Sequence, residues 1–160
     1  MIAGGEITLR PVTDRDDEFL FAVYASTRAQ EMAMVPWSPE QKAAFLRMQF
    51  TAQKQHYGAQ EPNANHDIIC RGETPVGRLY LSRRQSVLHI LDVTVMPEYR
   101  SAGIGSVLLG RILDEARGAG KPVTIYVESF NPSLRLFERL GFQKAEEQGF
   151  QFLMKYSSSH

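Results

Sequence analysis

Apolar residues recur along this chain at two different periods, and the switches between them mark its elements. Ile7 and Leu9 alternate with polar neighbours ahead of Pro11, which predicts a short first strand. Phe19, Leu20, Val23 and Tyr24 then fall at helical steps, with Thr13 or Asp14 placed to cap that helix. The stretch Pro36-Trp37-Ser38-Pro39 interrupts the pattern. A second helix is predicted over 40–56, with Ala43, Leu46 and Phe50 on one side, and a polar, turn-rich link follows over 58–65. Strands are predicted over 67–70, 75–82 and 87–96, joined by Gly72-Glu73-Thr74 and by Arg83-Arg84-Gln85. The next helix, 104–117, gathers Ile104, Val107, Leu108, Ile112, Leu113 and Ala116 on a broad face and ends at Gly118 and Gly120. A strand over 123–127, a short helix over 131–140 and a closing pair of strands over 142–145 and 150–155 complete the chain.

This order, with antiparallel hairpins flanking a strand–helix–strand crossover, predicts an α+β fold on a mixed sheet. No repeat or linker divides it, so 1–156 reads as one domain and 157–160 as a flexible tail. At 160 residues the chain is long enough to bury a core without metal or disulfide. Lysine plus arginine equals aspartate plus glutamate at 18 each, which gives no general attraction to nucleic acid or to an anionic membrane. The single cysteine, Cys70, has no internal partner, and no apolar run approaches spanning length. A cytoplasmic protein is the expectation. No His/Cys cluster has metal-ligand spacing, and no nucleophile elbow is present.

The segment His89-Ile90-Leu91-Asp92-Val93-Thr94-Val95-Met96-Pro97-Glu98-Tyr99-Arg100-Ser101-Ala102-Gly103-Ile104-Gly105 adds chemistry to this outline. It reads as a buried strand, a tight turn, and Arg-x-x-Gly-x-Gly opening an amphipathic helix. Glycines at such a turn let several N–H groups converge, and a helix N-terminus adds free donors and the positive end of its dipole. The result suits a pyrophosphate, with Arg100 at its lip. No lysine follows Gly105 as a Walker loop requires, and Gly103, Gly105 and Gly110 are misplaced for a dinucleotide fingerprint. The segment resembles the acyl-coenzyme A signature of the GNAT superfamily of N-acetyltransferases. A second block, Val127-Glu128-Ser129-Phe130-Asn131-Pro132-Ser133-Leu134-Arg135-Leu136-Phe137-Glu138-Arg139-Leu140-Gly141-Phe142, is similar to that family's Asn-x-x-(Ala/Ser)-x-x-x-Tyr-x-x-x-Gly-Phe segment.

The resemblance implies a mixed, mostly antiparallel sheet of about six to seven strands with one parallel, splayed pair, flanked by about four helices. It implies acetyl-CoA as cosubstrate. Its pantetheine arm would lie along Val93, Thr94 and Val95, and its pyrophosphate on Arg100, Ser101, Ala102, Gly103, Ile104, Gly105 and Ser106. Asn131 and Phe137 would line the arm, Phe137 standing where the family usually carries a tyrosine that protonates the departing thiolate. The nearest substitute phenol by strand parity is Tyr126.

For the base, Asp92 lies on an apolar strand where a carboxylate would be partly desolvated, and the alternative is a structural role. His89 has a suitable intrinsic pKa or is a packing histidine. Glu128 ends a strand beside the crevice and would hold the amine cation or take its proton. Glu31, Trp37 and Gln49 are candidates for the acceptor wall. The expected activity is direct acetyl transfer to a primary amine, of a small molecule or a peptide, within a ternary complex, with a homodimer possible. Two alternatives stay open: a coenzyme A-binding sensor or scaffold with weak or no transfer, and a transferase of longer acyl groups.

Overall fold

The computed structural model describes residues 5–100 and 102–157. Seven strands form one sheet in the order β1-β2-β3-β4-β5-β7-β6. They are β1 (Ile7–Pro11), β2 (Asn65–Arg71), β3 (Thr74–Arg83), β4 (Leu88–Val95), β5 (Val123–Glu128), β6 (Gln143–Gln148) and β7 (Gln151–Tyr156). All neighbours are antiparallel except β4 and β5, the parallel pair that the crossover helix α4 (Ile104–Ala119) requires. The other helices are α1 (Asp17–Thr27), α2 (Ala29–Ala33), α3 (Pro39–Gln60) and α5 (Leu134–Arg139). The α+β fold, the strand number and the splayed parallel pair match the expectation. The extra helix is α2, a single turn and a half where a loop was expected. No helix among the described residues is long and apolar enough to cross a membrane.

Two apolar cores cover the two faces of the sheet. The larger packs Leu108, Leu109, Ile112 and Ala116 of α4 and Phe137 of α5 against Leu79, Leu88, Ile90, Val123, Ile125 and Val127. Each fully buried leucine or isoleucine contributes roughly 1.5–3 kcal/mol of apolar transfer. The smaller sets Leu20, Tyr24, Leu46 and Phe50 of α1 and α3 on Ile68 and Cys70. Ala43, placed with Leu46 on the sequence pattern, faces solvent.

α3 begins where the chain predicts and ends later. The Ser38 hydroxyl accepts from Gln41 N–H, the Gln41 side chain accepts from Ser38 N–H, and Pro39 takes the first turn. The helix runs on past 56 because Tyr57 is held from outside it. Its ring stands edge-on to Tyr80, and its hydroxyl donates to the Leu91 carbonyl at 3.3 Å.

That carbonyl marks the irregularity that organises β4. Tyr80 pairs with Asp92 while Leu81 pairs with Ile90, so Leu91 is an extra residue bulged out of the ladder. Side-chain parity reverses there. Leu88 and Ile90 face the α4 core before the bulge, Val93 and Val95 face it afterwards, and His89, Asp92 and Thr94 share the opposite face.

Candidate active site

β4 and β5 pair through three residues only, Leu88–Ile90 against Val123–Ile125, and then separate. Amide direction alternates along a strand. Leu88 N–H donates to Pro122 on the β5 side, whereas Met96 N–H donates to Val76 on β3. Alternation back from Met96 therefore turns the amides of Val95 and Val93 toward the gap, where β5 no longer answers them. Thr94 is turned to β3, so closely that a Cβ on Gly77 would lie 2.1 Å from its carbonyl oxygen. Of the three residues expected along the pantetheine arm, two offer their backbone to the gap. Thr94 instead donates its hydroxyl to Asp92 at 3.0 Å.

The cradle follows directly. A 3₁₀ turn, Pro97–Tyr99, leads to Gly103, which caps α4 in the left-handed region at φ 81°. The first intrahelical bond of this turn runs from Val107 N–H to Gly103 O, which leaves the preceding amides without helix partners. Ile104 is buried in the core and presents only backbone here, Gly105 is half-buried under Leu136 of α5, and Ala102 and Ser106 are exposed. Ser101 lies outside the described residues. Arg100 is folded back, its Nε donating to the Val95 carbonyl at 2.9 Å.

Asn131 accepts from Ser133 N–H at 2.9 Å and so caps the approach to α5. Phe137 is 3% exposed and stands edge-on to Phe142. It is a core residue with no proton to give.

On the face of β5 turned away from α4, Thr124, Tyr126 and Glu128 alternate with the buried Val123, Ile125 and Val127. Tyr126 is 41% exposed, and its ring meets the edge of His89 at 5.7 Å. His89 is buried, its Nδ1 2.7 Å from the Thr124 hydroxyl, and burial pushes its pKa down. It is held neutral in a packed position. Asp92 is not the isolated carboxylate that the apolar strand suggested. Arg78 Nε donates to it at 2.6 Å, and Arg78 in turn donates to Gln53 of α3 at 2.7 Å.

The acceptor candidates are divided. Glu128 lies 3.8 Å from Arg28, which also meets Glu31 at 3.3 Å. Gln49 accepts from the Tyr24 hydroxyl at 3.3 Å, and Arg28 lies over the Tyr24 ring at 5.5 Å. Glu31, Glu128 and Gln49 thus belong to one cluster. Trp37 stands apart from it, packed edge-on against Phe45, one helical turn before Gln49.

Four residues of this region escaped the sequence reading: Arg28, Gln53, Tyr57 and Arg78. Arg78 carried a visible signal, because a charge inside the apolar run from Val76 to Leu81 needs a buried partner on a neighbouring strand. Arg28, at an unpredicted helix junction, carried none.

Comparison with known proteins agrees with this geometry. The pattern of the "Acetyltransferase (GNAT) family" matches residues 22–142. A Bacillus subtilis (strain 168) protein named "Putative phosphinothricin acetyltransferase YwnH" is 31% identical over 141 residues, covering 85% of this chain and 83% of its own. The L-amino acid N-acyltransferase MnaT of Escherichia coli (strain K12) is 44% identical over 61 residues, 37% of this chain and 34% of that one. The crystal structure of PaiA N-acetyltransferase from Thermoplasma acidophilum in complex with coenzyme A superposes with a TM-score of 0.72 at 19% identity, covering 95% of this chain and 99% of that one. The parallel pair that splays beyond Ile90, the glycine-capped helix beside it and a sequence match across three quarters of the chain make this protein a member of the GNAT acetyltransferase family.

Proposed function

We propose that the protein is an acetyl-CoA-dependent N-acetyltransferase that acts on a primary amine by direct attack. The observation that carries this reading is the gap between β4 and β5, with the amides of Val93 and Val95 turned into it and the Gly103 cap of α4 at its mouth. The donor fits these residues. Its pantetheine arm takes the free backbone of Val93 and Val95, its pyrophosphate takes the amides of 103–106, and Arg100 leaves the Val95 carbonyl to meet the phosphates. PaiA, solved with coenzyme A, is a structural neighbour that supports the same use of the fold.

In the transfer, the neutral amine attacks the thioester carbonyl carbon, a C–N bond forms, and the C–S bond breaks. The departing thiolate needs a proton. Phe137 cannot supply it, so Tyr126 does, since its phenol is the one exposed on β5 across the gap from the bulge. Glu128 holds the incoming ammonium and passes its first proton to water, and the second, shed by the nitrogen as the amide forms, returns Tyr126 to its phenol. Asp92 does not serve as base, because its carboxylate anchors β4 to Arg78. The acceptor is a small molecule, in line with relatives named for phosphinothricin and for L-amino acids.

The absence of a hydroxyl at Phe137 favours one rival, a coenzyme A-binding module without transfer. Calorimetric titration of acetyl-CoA, followed by a thiol-release assay over a panel of amines, separates the readings. Saturable binding at one site with amine-dependent thiol release supports the transferase. Binding without release on any amine supports the module, and no binding removes both.

A further inference from the structure

The cluster at the acceptor end of β5 is built around a cation. Arg28 caps α1 at its junction with α2, and its guanidinium lies over the ring of the buried Tyr24 at 5.5 Å. Its side chain is 30% exposed, against 54% for Glu31 and 36% for Glu128, so the cation is the best-anchored charge of the three. The two carboxylate contacts differ in kind. Glu31 follows three residues later and pairs locally at 3.3 Å. Glu128 comes from the far side of the cleft and stops at 3.8 Å, beyond the 2.7–2.9 Å usual for a charge-assisted bond. Glu128 is two positions along β5 from Tyr126, on the same face. An amine held by Glu128 would therefore lie two strand positions from the phenol proposed as the acid.

Electrostatics then restricts the substrate. A bare ammonium drawn to Glu128 meets the fixed Arg28 charge a few ångströms away, and it takes from Arg28 one of its two partners. An amine that brings its own anion avoids both penalties. Glu128 turns to the ammonium, the anion takes the vacated side of Arg28, and no half-buried charge is left unpaired. Resting on the transferase reading above, we infer that the acceptor is an amino acid zwitterion, with Arg28 binding its carboxylate and Glu128 its ammonium. Arg28 is thereby the residue that determines acceptor class. The loose Arg28–Glu128 pair is the site's own stand-in for that zwitterion, with the polarity of each partner reversed.

The test compares acids with their carboxamides, which keep the amine and lose the anion. The protein with acetyl-CoA is given an equimolar pool of the twenty common amino acids, the matching pool of their carboxamides, or spermidine, and N-acetyl products are quantified by mass spectrometry. In parallel, the protein loaded with coenzyme A is titrated with each acid and each amide and its melting temperature followed. The expected result is at least one acid favoured over its amide by about 10- to 100-fold in kcat/KM, the weight of one charged hydrogen bond. Arg28→Gln is expected to bring that ratio close to one through the KM for the acid, while acetyl-CoA affinity holds. Arg28→Lys, which keeps the charge, is expected to recover part of the ratio. Preference for amides or spermidine, or an acid/amide ratio that survives Arg28→Gln, overturns the inference and leaves the transferase reading standing. Acid-selective, Arg28-dependent stabilisation with no product from any pool keeps the zwitterion site and sinks the transferase. If no acid reacts or shifts melting, the inference fails.

Discussion

The proposed mechanism draws from Tyr126 the proton that the resemblance assigns to position 137, where this chain carries a phenylalanine. Phe137 fills a core position against Phe142, and Tyr126 carries a phenol at the surface of the gap. General acid assistance contributes about 10²–10⁴-fold, so Tyr126→Phe is expected to lower kcat by at least about 100-fold with acetyl-CoA affinity and melting temperature unchanged. Stopped-flow turnover beside calorimetry reads the split, and an undiminished kcat would assign the proton to water. Adding Phe137→Tyr to that variant is expected to recover part of the rate if position 137 faces the sulfur, as the resemblance implies. Gly103 supports a sharper expectation. Its φ of 81° suits glycine, and a Cβ there would touch nothing within 4 Å. Gly103→Asp therefore costs about 1–2 kcal/mol of backbone strain but leaves the fold standing. Its charge would face the donor's phosphates, so acetyl-CoA affinity should fall by more than about 100-fold. Retained affinity would mean that the pyrophosphate lies elsewhere.

At the scale of the element, β4 is where the sequence was read best and also where it misled. Its apolar run and the glycine turn after it located the strand, the crossover helix and the glycine that caps that helix. Simple alternation, however, puts His89 and Asp92 on opposite faces. The bulge at Leu91 puts them on the same face, and its mark in the pattern is slight, a single apolar doublet, Ile90-Leu91, between two alternating runs. For the same reason Asp92 looked solitary, since its partner Arg78 sits on another strand and register is not written locally. The short helix α2 was missed because Met32, Met34 and Val35 beside prolines read as a loop, and Met32 is the residue that attaches it to the smaller core. The Arg78–Asp92 pair is testable as an anchor. Arg78 is 3% exposed at its side chain and Asp92 27%. Arg78→Met leaves the Asp92 carboxylate and the Gln53 amide without their partner, and should cost about 3 kcal/mol or more in urea unfolding. Replacing both, Arg78→Met with Asp92→Leu, should recover most of that loss. Asp92→Asn should likewise lower stability, with kcat falling less than about tenfold. A rate loss of several orders at unchanged stability would restore Asp92 to the role of base.

Across the whole molecule, the sheet face that carries His89, Asp92 and Tyr126 is also the face where protonation is coupled to folding. His66 on β2 stacks flat on Tyr80 at 4.2 Å, and its Nε2 is buried without a partner among the described residues. Burial, with the nearby Arg78 charge adding to it, pushes its pKa down to about 4, against the opposing pull of Asp92 and Asp16. Burial lowers His89 in the same direction. An unfolded histidine titrates near 6.5, so between about 6.5 and 4 the unfolded chain binds protons that the native chain refuses. Stability is therefore full above about pH 6.5 and declines as pH falls toward 4. From pH 7.5 to 5, His66 accounts for at most about 2 kcal/mol of that decline, at 1.36 kcal/mol per pH unit below its unfolded pKa. Asp16, held down to about 2 by its bond to Arg10, stays ionised across this range and does not contribute. His66→Phe keeps a flat ring against Tyr80 and removes the titration. Its urea unfolding free energy should fall by less than the wild type's between those two pH values, with His89 adding to the remaining slope in the same direction. Equal slopes in the two proteins would show that His66 is protonated alike in the folded and unfolded chains, and that the stack on Tyr80 does not exclude the charge.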